Sequence, residues 1–271
     1  MGARVTDTTE ESSIDLLHGR TIRAFLFDLD GVLTPTAEVH MHAWARLFTP
    51  YLEGRGVSPY VEQDYFDHID GKPRFDGVRD LLASRGIELE PGTPDADPAD
   101  DTVWGLGNRK NSVFSDTIAE EGVAAYPASL AFLKAVIDDG YEVAVVSSSK
   151  NAPPVLAAAG IADRFDVVVD GNVAASLGLP GKPAPDTYIH AADVLGLTVL
   201  ECAVVEDAVS GVQAGARGAF GLVIGVDRGV GRKVLLDAGA DIVVQELDEL
   251  IDAVSKTETT SSIAENNKES K

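Results

Sequence analysis

Two aspartates separated by one residue follow an apolar stretch near the start of the chain. Residues 25–31 read FLFDLDG, so Asp28 and Asp30 come directly after FLF. If FLF is a buried strand, side-chain alternation places both carboxylates on the same side as the chain leaves the sheet, and Gly31 permits a sharp turn. Two such carboxylates can bind a hard divalent cation or divide the roles of nucleophile and proton carrier. Taken alone, the same residues also suit an ordinary turn.

Three more polar clusters follow predicted strands farther along the chain. They are SSSKN at residues 147–151, the GKP segment that contains Lys182, and the acidic pair Glu206 and Asp207. Each cluster has a simpler structural explanation, because serines cap helices, Lys-Pro suits a loop, and acidic residues favour helix N-termini. Together the clusters supply the acids, hydroxyls and lysine that phosphoryl transfer through a carboxylate needs.

The elements that must position these clusters alternate between strand and helix. Short apolar, β-branched runs predict strands at residues 21–27, 142–146, 166–169, 202–205, 221–224 and 241–244. Ala/Leu-rich stretches between them predict helices at residues 129–139, 153–159, 186–195 and 211–216. This alternation predicts a mostly parallel sheet with helices on both faces. All four polar clusters would then lie at the carboxyl edge of the sheet, where ligands bind in open α/β folds.

The long segment from residue 36 to residue 124 contains no convincing buried strand. Its apolar residues recur at helical spacing, as at Val39, Trp44, Leu47 and Phe48. Because this segment directly follows the first acidic cluster, it is predicted to form a helical lid over the carboxyl edge of the sheet. Residues 88–101, which read ELEPGTPDADPADD, predict a mobile, solvated loop within it.

The bulk composition limits the classes of function. A chain of 271 residues that is 45% hydrophobic can bury a substantial core, whereas a formal net charge of -22 without a basic run excludes nucleic acid and anionic membranes as partners. Cys202 is the only cysteine, so no intrachain disulfide forms, and it is interpreted as a buried apolar residue. No signal peptide or apolar run of about 18 residues is present, which predicts a cytoplasmic protein. Residues 1–18 and 255–271 are predicted to be disordered tails.

These motifs, in this order, resemble the haloacid dehalogenase superfamily of aspartate-dependent phosphotransferases, and within it the β-phosphoglucomutase-like branch with a helical cap. The segments that carry the resemblance lie between about residues 20 and 230 and read DLDGVLTPTAEVHMHAW (28–44), GKPR (71–74), RKN (109–111), SSSKN (147–151), GKPAPD (181–186) and VEDAVSGVQA (205–214). The resemblance implies a Rossmann-like doubly wound parallel sheet core with an inserted α-helical cap domain. The core would comprise residues 19–35 and 125–254, and the cap residues 36–124.

The resemblance also implies roles for individual residues. Asp28 would be the nucleophile that becomes aspartyl-phosphate, and Asp30 would be the general acid/base. Mg²⁺ would be held by Asp28, the backbone carbonyl of Asp30, Asp207 and, directly or through other ligands, Glu206. Phosphate and substrate would be bound by residues of both the core and the cap: Ser147, Ser148, Lys150, Asn151, Lys182, Gly71, Arg74, Thr36, His40 and Lys110. Among these, Arg74 resembles a clamp for the remote phosphate of a bisphosphorylated sugar.

One position departs from the sugar phosphomutases to which the chain is similar. A lysine commonly precedes the cap glycine in those enzymes, but Asp70 precedes Gly71 here, and Lys72 could take the place of that lysine. Two activities therefore remain open. The preferred one is a β-phosphoglucomutase, which converts β-glucose 1-phosphate to glucose 6-phosphate through a bisphosphate. The alternative is a sugar-phosphate phosphatase, in which water attacks the aspartyl-phosphate.

A third hypothesis, an inactive binding protein on the same scaffold, is disfavoured because no core residue of the motifs is missing. The expected partner is a small sugar phosphate, and the protein is expected to be a monomer.

Overall fold

Six strands form one parallel sheet in the part of the chain that the computed structural model describes, residues 20–254. The strands are β1 (Ala24–Phe27), β2 (Glu142–Val146), β3 (Val167–Val169), β4 (Cys202–Glu206), β5 (Leu222–Val226) and β6 (Ile242–Val244). Their order in the sheet is β3-β2-β1-β4-β5-β6, and every neighbouring pair is parallel. Since the chain proceeds outward from β1 to one side and then from β4 to the other, the topological switch lies between β1 and β4, where a ligand crevice is expected.

Helices cover both faces of this sheet, which confirms the predicted doubly wound α/β fold class. The helices are α1 (Thr36–Glu53), α2 (Arg74–Ser84), α3 (Val103–Glu121), α4 (Pro127–Asp138), α5 (Ala152–Ala158), α6 (Gly171–Leu177), α7 (Asp186–Val194), α8 (Val209–Arg217), α9 (Arg232–Ala238) and α10 (Ile251–Val254). A π-helical turn, Tyr65–Ile69, lies between α1 and α2. None of the helices between residues 20 and 254 combines the length and apolar character that crossing a bilayer requires. The predicted tails lie outside these residues.

The central strand β1 is buried on both sides. Phe25 and Phe27 face the apolar cluster that includes Phe132 of α4, whereas Ala24 and Leu26 face the cluster that includes Tyr188 of α7. The four residues of β1 are fully buried, and burial of one large apolar side chain contributes roughly 1.5–3 kcal/mol. The strand is therefore a rigid base for the residues that follow it.

Helices α1, α2 and α3 pack around an apolar cluster of their own. Trp44 and Phe48 of α1, Leu81 of α2 and Leu106 of α3 belong to this cluster, which is separate from the two clusters that flank the sheet. These helices lie in the segment predicted to be an insertion, although its limits, residues 36–124, stay a prediction.

The acidic segment 88–101 has no helix or strand and is attached to the helices beside it. Asn108 Nδ2 donates to the Ala96 carbonyl at 2.9 Å, and Arg109 Nε donates to the Pro98 carbonyl at 2.6 Å. The Tyr51 hydroxyl donates to Asp101 at 2.7 Å. The mobility predicted for this loop stays a prediction.

Three short helices, α6, α9 and α10, were not among the predicted elements. Helices α6 and α9 have seven residues each and α10 has four, which is too short for helical periodicity to stand out from the sequence. Local signals do mark α6, because the Asp170 carboxylate accepts hydrogen bonds from the N–H groups of Asn172 and Val173, and Gly178 ends the helix in a left-handed conformation.

Candidate active site

The two aspartates of the DLDG segment begin the site where β1 ends. The Asp28 N–H donates to the Val205 carbonyl at 2.9 Å, so the backbone of Asp28 continues the pairing of β1 with β4. Gly31 has a φ of +83°, and a Cβ there would lie 1.8 Å from Asp207 Oδ2. Glycine is thus required at position 31 both for the turn and for the approach of Asp207.

Three carboxylates converge at the ends of β1 and β4. Asp28, Glu206 and Asp207 are buried, and each offers an oxygen within 4.8 Å of the others. Gly211 provides the room for this cluster, since a Cβ there would lie 1.7 Å from Glu206 Oε1. Buried oxygen donors at this separation suit a hard divalent cation such as Mg²⁺.

The electrostatics of these carboxyls also fit a cation. Burial raises the pKa of Asp28 well above its usual value, although the positive charge of Lys182 opposes the shift. Burial also raises the pKa of Asp207, and the negative charges of Asp70 and Glu206 add to this effect. Three carboxylates that repel one another in a dry site would be relieved by a divalent positive charge.

Lys182 connects the predicted GKP cluster to the two strand ends. Its Nζ contacts Asp28 Oδ1, donates to Glu206 Oε1 at 2.6 Å and donates to the Val146 carbonyl at 2.9 Å. Lys182 is 3% exposed. Burial lowers the pKa of Lys182, but the charges of Asp28 and Glu206 outweigh this and raise it above the usual value. Lys182 is therefore charged and compensates part of the carboxylate cluster.

Asp30 is held by the residues at the start of the helical segment. The Thr36 hydroxyl donates to Asp30 Oδ1, His40 Nε2 lies 3.5 Å from the same oxygen, and Lys110 Nζ contacts His40 Nδ1. Burial alone would raise the pKa of Asp30, but the neighbouring His40 and the hydrogen bond from the Thr36 hydroxyl bring it below the usual value. Burial and the charge of Lys110 lower the pKa of His40 to about 4. Asp30 is thus ionised and ready to accept a proton.

The hydroxyl-rich cluster after β2 contacts the segment before α2. The Ser148 hydroxyl donates to the Gly71 carbonyl at 2.8 Å. Ser147 is buried and lines the same cavity as Asp28. Gly71 also packs directly against Ser210, because a Cβ at position 71 would lie 2.1 Å from Ser210 Oγ. A larger residue at position 71 would disturb both contacts.

Two of the remaining predicted residues, Arg74 and Lys150, line the same cavity as Asp28. Arg74 Nη2 and Asn151 Nδ2 both donate to Asn111 Oδ1 at 2.7 Å, and burial lowers the pKa of Arg74 to about 10. The Lys150 ammonium lies 5.4 Å from the centre of the Trp104 ring. Arg74 and Lys150 thus place cationic side chains along one cavity, which has a volume of about 370 Å³. Lys110 also lines this cavity, but burial and the charge of Arg74 lower its pKa well below the usual value.

Sequence reasoning did not assign roles to several residues that line or support this cavity. Asn111, which joins Arg74 to Asn151, was noted only within the RKN motif. The Tyr188 hydroxyl donates to Glu206 Oε1 at 2.9 Å. No sequence pattern marks this residue as part of the site, because a tyrosine in a helix is usually interpreted as a core residue. Lys72, considered as a substitute for a cap lysine, pairs with Asp80 at 2.8 Å.

Comparison with known proteins points to one family. The family model of haloacid dehalogenase-like hydrolases matches residues 22–218. A protein of Mycobacterium bovis named beta-phosphoglucomutase is 46% identical over 242 residues, which cover 85% of this chain and 92% of that protein. A Bacillus subtilis protein of the same name is 30% identical over 233 residues, covering 84% and 92% of the two chains. The crystal structure of beta-phosphoglucomutase from Clostridium difficile superposes with a TM-score of 0.67 at 26% identity, covering 84% of this chain and 93% of the other.

Proposed function

The chain belongs to the haloacid dehalogenase-like hydrolase family, and we propose that it is a phosphomutase that moves the phosphoryl group of a sugar phosphate by way of an aspartyl-phosphate. The preferred reaction converts β-glucose 1-phosphate to glucose 6-phosphate. The observation that carries this proposal is a single cavity lined both by Asp28 and by the cationic side chains of Arg74 and Lys150. A phosphate at each end of one sugar suits such a cavity.

In the first half of the reaction, a carboxylate oxygen of Asp28 attacks the phosphorus of the donor phosphate. The bond from phosphorus to the sugar oxygen breaks as the aspartyl-phosphate forms. The Ser147 hydroxyl, which lines the cavity beside Asp28, is assigned to hydrogen-bond the transferring phosphoryl group. The Lys182 ammonium, in contact with Asp28, offsets negative charge that accumulates there. Preorganised donors of this kind are each worth about 10²–10³-fold in rate.

Asp30 is assigned to move the proton. Asp30, ionised in the resting site, takes the proton of the acceptor hydroxyl that attacks the aspartyl-phosphate. It returns that proton to the sugar oxygen that leaves when Asp28 takes the next phosphoryl group. Thr36, His40 and Lys110 hold Asp30 in position. Because Thr36, His40 and Lys110 belong to the segment predicted as a cap, placement of the proton carrier depends on the position of that segment.

We assign the carboxylates of Asp28, Glu206 and Asp207, with the backbone carbonyl of Asp30, to hold Mg²⁺. When bound, this ion neutralises charge on the phosphoryl oxygens and on the three carboxylates. Tyr188 supports the set by its hydrogen bond to Glu206.

Arg74 is assigned to the remote phosphate. Its guanidinium is oriented by Asn111, which is shared with Asn151 of the SSSKN cluster. A planar guanidinium can bind a phosphate through two parallel hydrogen bonds. Anchoring the bisphosphate by either end would let the same sugar present its other phosphate to Asp28.

Asp70 favours a second candidate, a sugar-phosphate phosphatase. It places a carboxyl in the cavity at the position where a lysine was expected, so the cavity has less positive charge for a second phosphate. In a phosphatase, water instead of a sugar hydroxyl would attack the aspartyl-phosphate. The monomeric state and cytoplasmic location stay predictions.

Phosphorus NMR distinguishes the two activities. The enzyme is mixed with Mg²⁺, β-glucose 1-phosphate and a trace of glucose 1,6-bisphosphate. Growth of the glucose 6-phosphate signal without inorganic phosphate supports the mutase. Growth of the inorganic phosphate signal instead of the glucose 6-phosphate signal identifies the phosphatase. No change in either signal rejects this sugar as the substrate.

A further inference from the structure

Asp70 occupies a place in the cavity that the proposed reaction leaves without a role. It follows the π-helical turn Tyr65–Ile69 and lines the cavity together with Asp28, Asp30 and Asp207. The charges of Glu206 and Asp30 act on its carboxyl, and its own charge acts on Asp207. Asp70 therefore lies close enough to the reacting carboxylates to contact a sugar bound beside them.

The carboxyl of Asp70 has capacity for a further hydrogen-bond donor. The Tyr65 hydroxyl and the Gly71 N–H lie close enough to act on this carboxyl, and a carboxylate offers about four acceptor positions. The lysine two residues away does not neutralise it, because Lys72 pairs with Asp80 at 2.8 Å. A neutral donor from the cavity, such as an alcohol hydroxyl, fits this group better than a phosphate oxygen, which would be repelled.

The backbone around Asp70 is fixed by side chains of the sheet domain. The Ser210 hydroxyl donates to the Asp70 carbonyl at 3.0 Å, and the Ser148 hydroxyl donates to the neighbouring Gly71 carbonyl at 2.8 Å. Because Ser148 and Ser210 follow β2 and β4, they hold Asp70 at the same edge of the sheet as the reacting carboxylates. An acceptor held in place before the substrate arrives loses little entropy on binding.

We propose that Asp70 is a specificity-determining residue that accepts a hydrogen bond from a sugar hydroxyl close to the reacting oxygen. The site would thereby select phosphate esters of hydroxyl-rich sugars over deoxy sugars and hydroxyl-poor esters. This inference rests on the proposed phosphoryl transfer at Asp28 and adds the group that recognises the neutral part of the substrate. Tyr65 acts as a positioning residue by orienting the Asp70 carboxyl.

The test combines substitution of the residue with removal of the hydroxyl. Turnover of β-glucose 1-phosphate and of its 2-, 3- and 4-deoxy analogues is measured for the wild-type protein, Asp70→Ala and Asp67→Ala. Asp67 is an exposed aspartate of the same turn that contacts Gln63, so it controls for loss of a negative charge. For one analogue, the wild type should lose about 10- to 100-fold in kcat/KM. With the parent sugar, Asp70→Ala should show a similar fold-decrease in kcat/KM relative to the wild type. Changing from the parent sugar to that analogue should then lower the kcat/KM of Asp70→Ala only slightly further.

A parallel measurement separates this inference from the proposed function. Acetyl phosphate, a donor without a sugar, should phosphorylate Asp70→Ala with a smaller loss of rate than this variant shows with the parent sugar, because this donor carries no hydroxyl for Asp70 to bind. If both proteins are phosphorylated but Asp70→Ala shows the same fold-decrease in kcat/KM with every analogue as with the parent sugar, Asp70 does not accept a hydrogen bond from a sugar hydroxyl. If the wild type is not phosphorylated by either donor, the proposed transfer at Asp28 is itself wrong.

Discussion

Replacing Lys182 by methionine tests how the buried charges of the site are balanced. The Lys182 ammonium is almost completely buried and bonds to Glu206 at 2.6 Å, to the Val146 carbonyl at 2.9 Å and to Asp28. Methionine keeps most of the volume and removes the charge. Removing one partner of a buried ion pair costs about 3–5 kcal/mol, because the remaining charges lose their compensation. The free energy of unfolding should fall by that amount.

Urea unfolding followed by far-UV circular dichroism, in a chelator to remove divalent cations, measures this loss. Lys233→Met is the matched control, since Lys233 is 85% exposed and pairs with Asp237 on the surface of α9. A surface pair contributes about 0–1 kcal/mol. The double variant Lys182→Met/Glu206→Gln should lose less than the sum of its single variants, because one of the uncompensated charges is gone.

The loss should also depend on pH. Without Lys182, the pKa of the neighbouring carboxyls rises further, so the folded state binds more protons than the unfolded state, and stability falls as pH rises. Lys182→Met should therefore lose more stability at pH 8 than at pH 5.5. A loss no larger than that of Lys233→Met would refute the view that Lys182 compensates buried carboxylates.

Three other outcomes follow from the site. Asp30→Ala should lower turnover by about 10²–10⁴-fold while leaving urea stability nearly unchanged, and full activity would contradict its role as proton carrier. Arg74→Ala should lower mutase kcat/KM by about 10- to 100-fold but change hydrolysis of a small monophosphate ester by only a few fold, and equal losses would argue against a remote-phosphate clamp. Without divalent cations, the melting temperature should fall from pH 6.5 to pH 8. Burial raises the pKa of the Asp70 carboxyl to about 7 and raises those of Asp28 and Asp207, so these three groups stabilise the folded state less as pH rises. Two groups oppose this fall, because burial lowers the pKa of His40 to about 4 and the pKa of Lys110 well below its usual value, but the three carboxyls outnumber them. Saturating Mg²⁺ should reduce that fall, and a melting temperature that rises over this range would contradict the assignment.

The sheet and the residues at its edge could be predicted because their signals are local. β1 is a short apolar run that ends in DLDG, and β2 and β4 each end in a polar cluster of distinct type. The rule that parallel strands meet at one edge then brings Asp28, Lys182 and Asp207 together without knowledge of the tertiary structure. The first residue of a strand is predicted less accurately, since β1 begins at Ala24 and not at residue 21. The hydrophobic pattern alone does not show where hydrogen bonding to the neighbouring strand begins.

Contacts between the helical segment and the sheet could not be predicted in the same way. Ser210 and Asp70 are 140 residues apart in sequence, and Ser148 and Gly71 are 77 residues apart. Neither residue carries a local pattern that points to the other, since serine near a helix start is explained by capping. The roles of Asn111 and Tyr188 likewise depend on the tertiary fold.

The measurement that bears most directly on the central claim is chemical mapping of the phosphoenzyme. The protein is treated with acetyl phosphate and Mg²⁺, the acyl phosphate is reduced with borohydride, and the modified residue is located by peptide mass spectrometry. Modification at Asp28, and its loss in a folded Asp28→Asn variant, is the expected result. Modification at another carboxylate, or equal modification of Asp28→Asn, would contradict the assignment of Asp28 as the nucleophile.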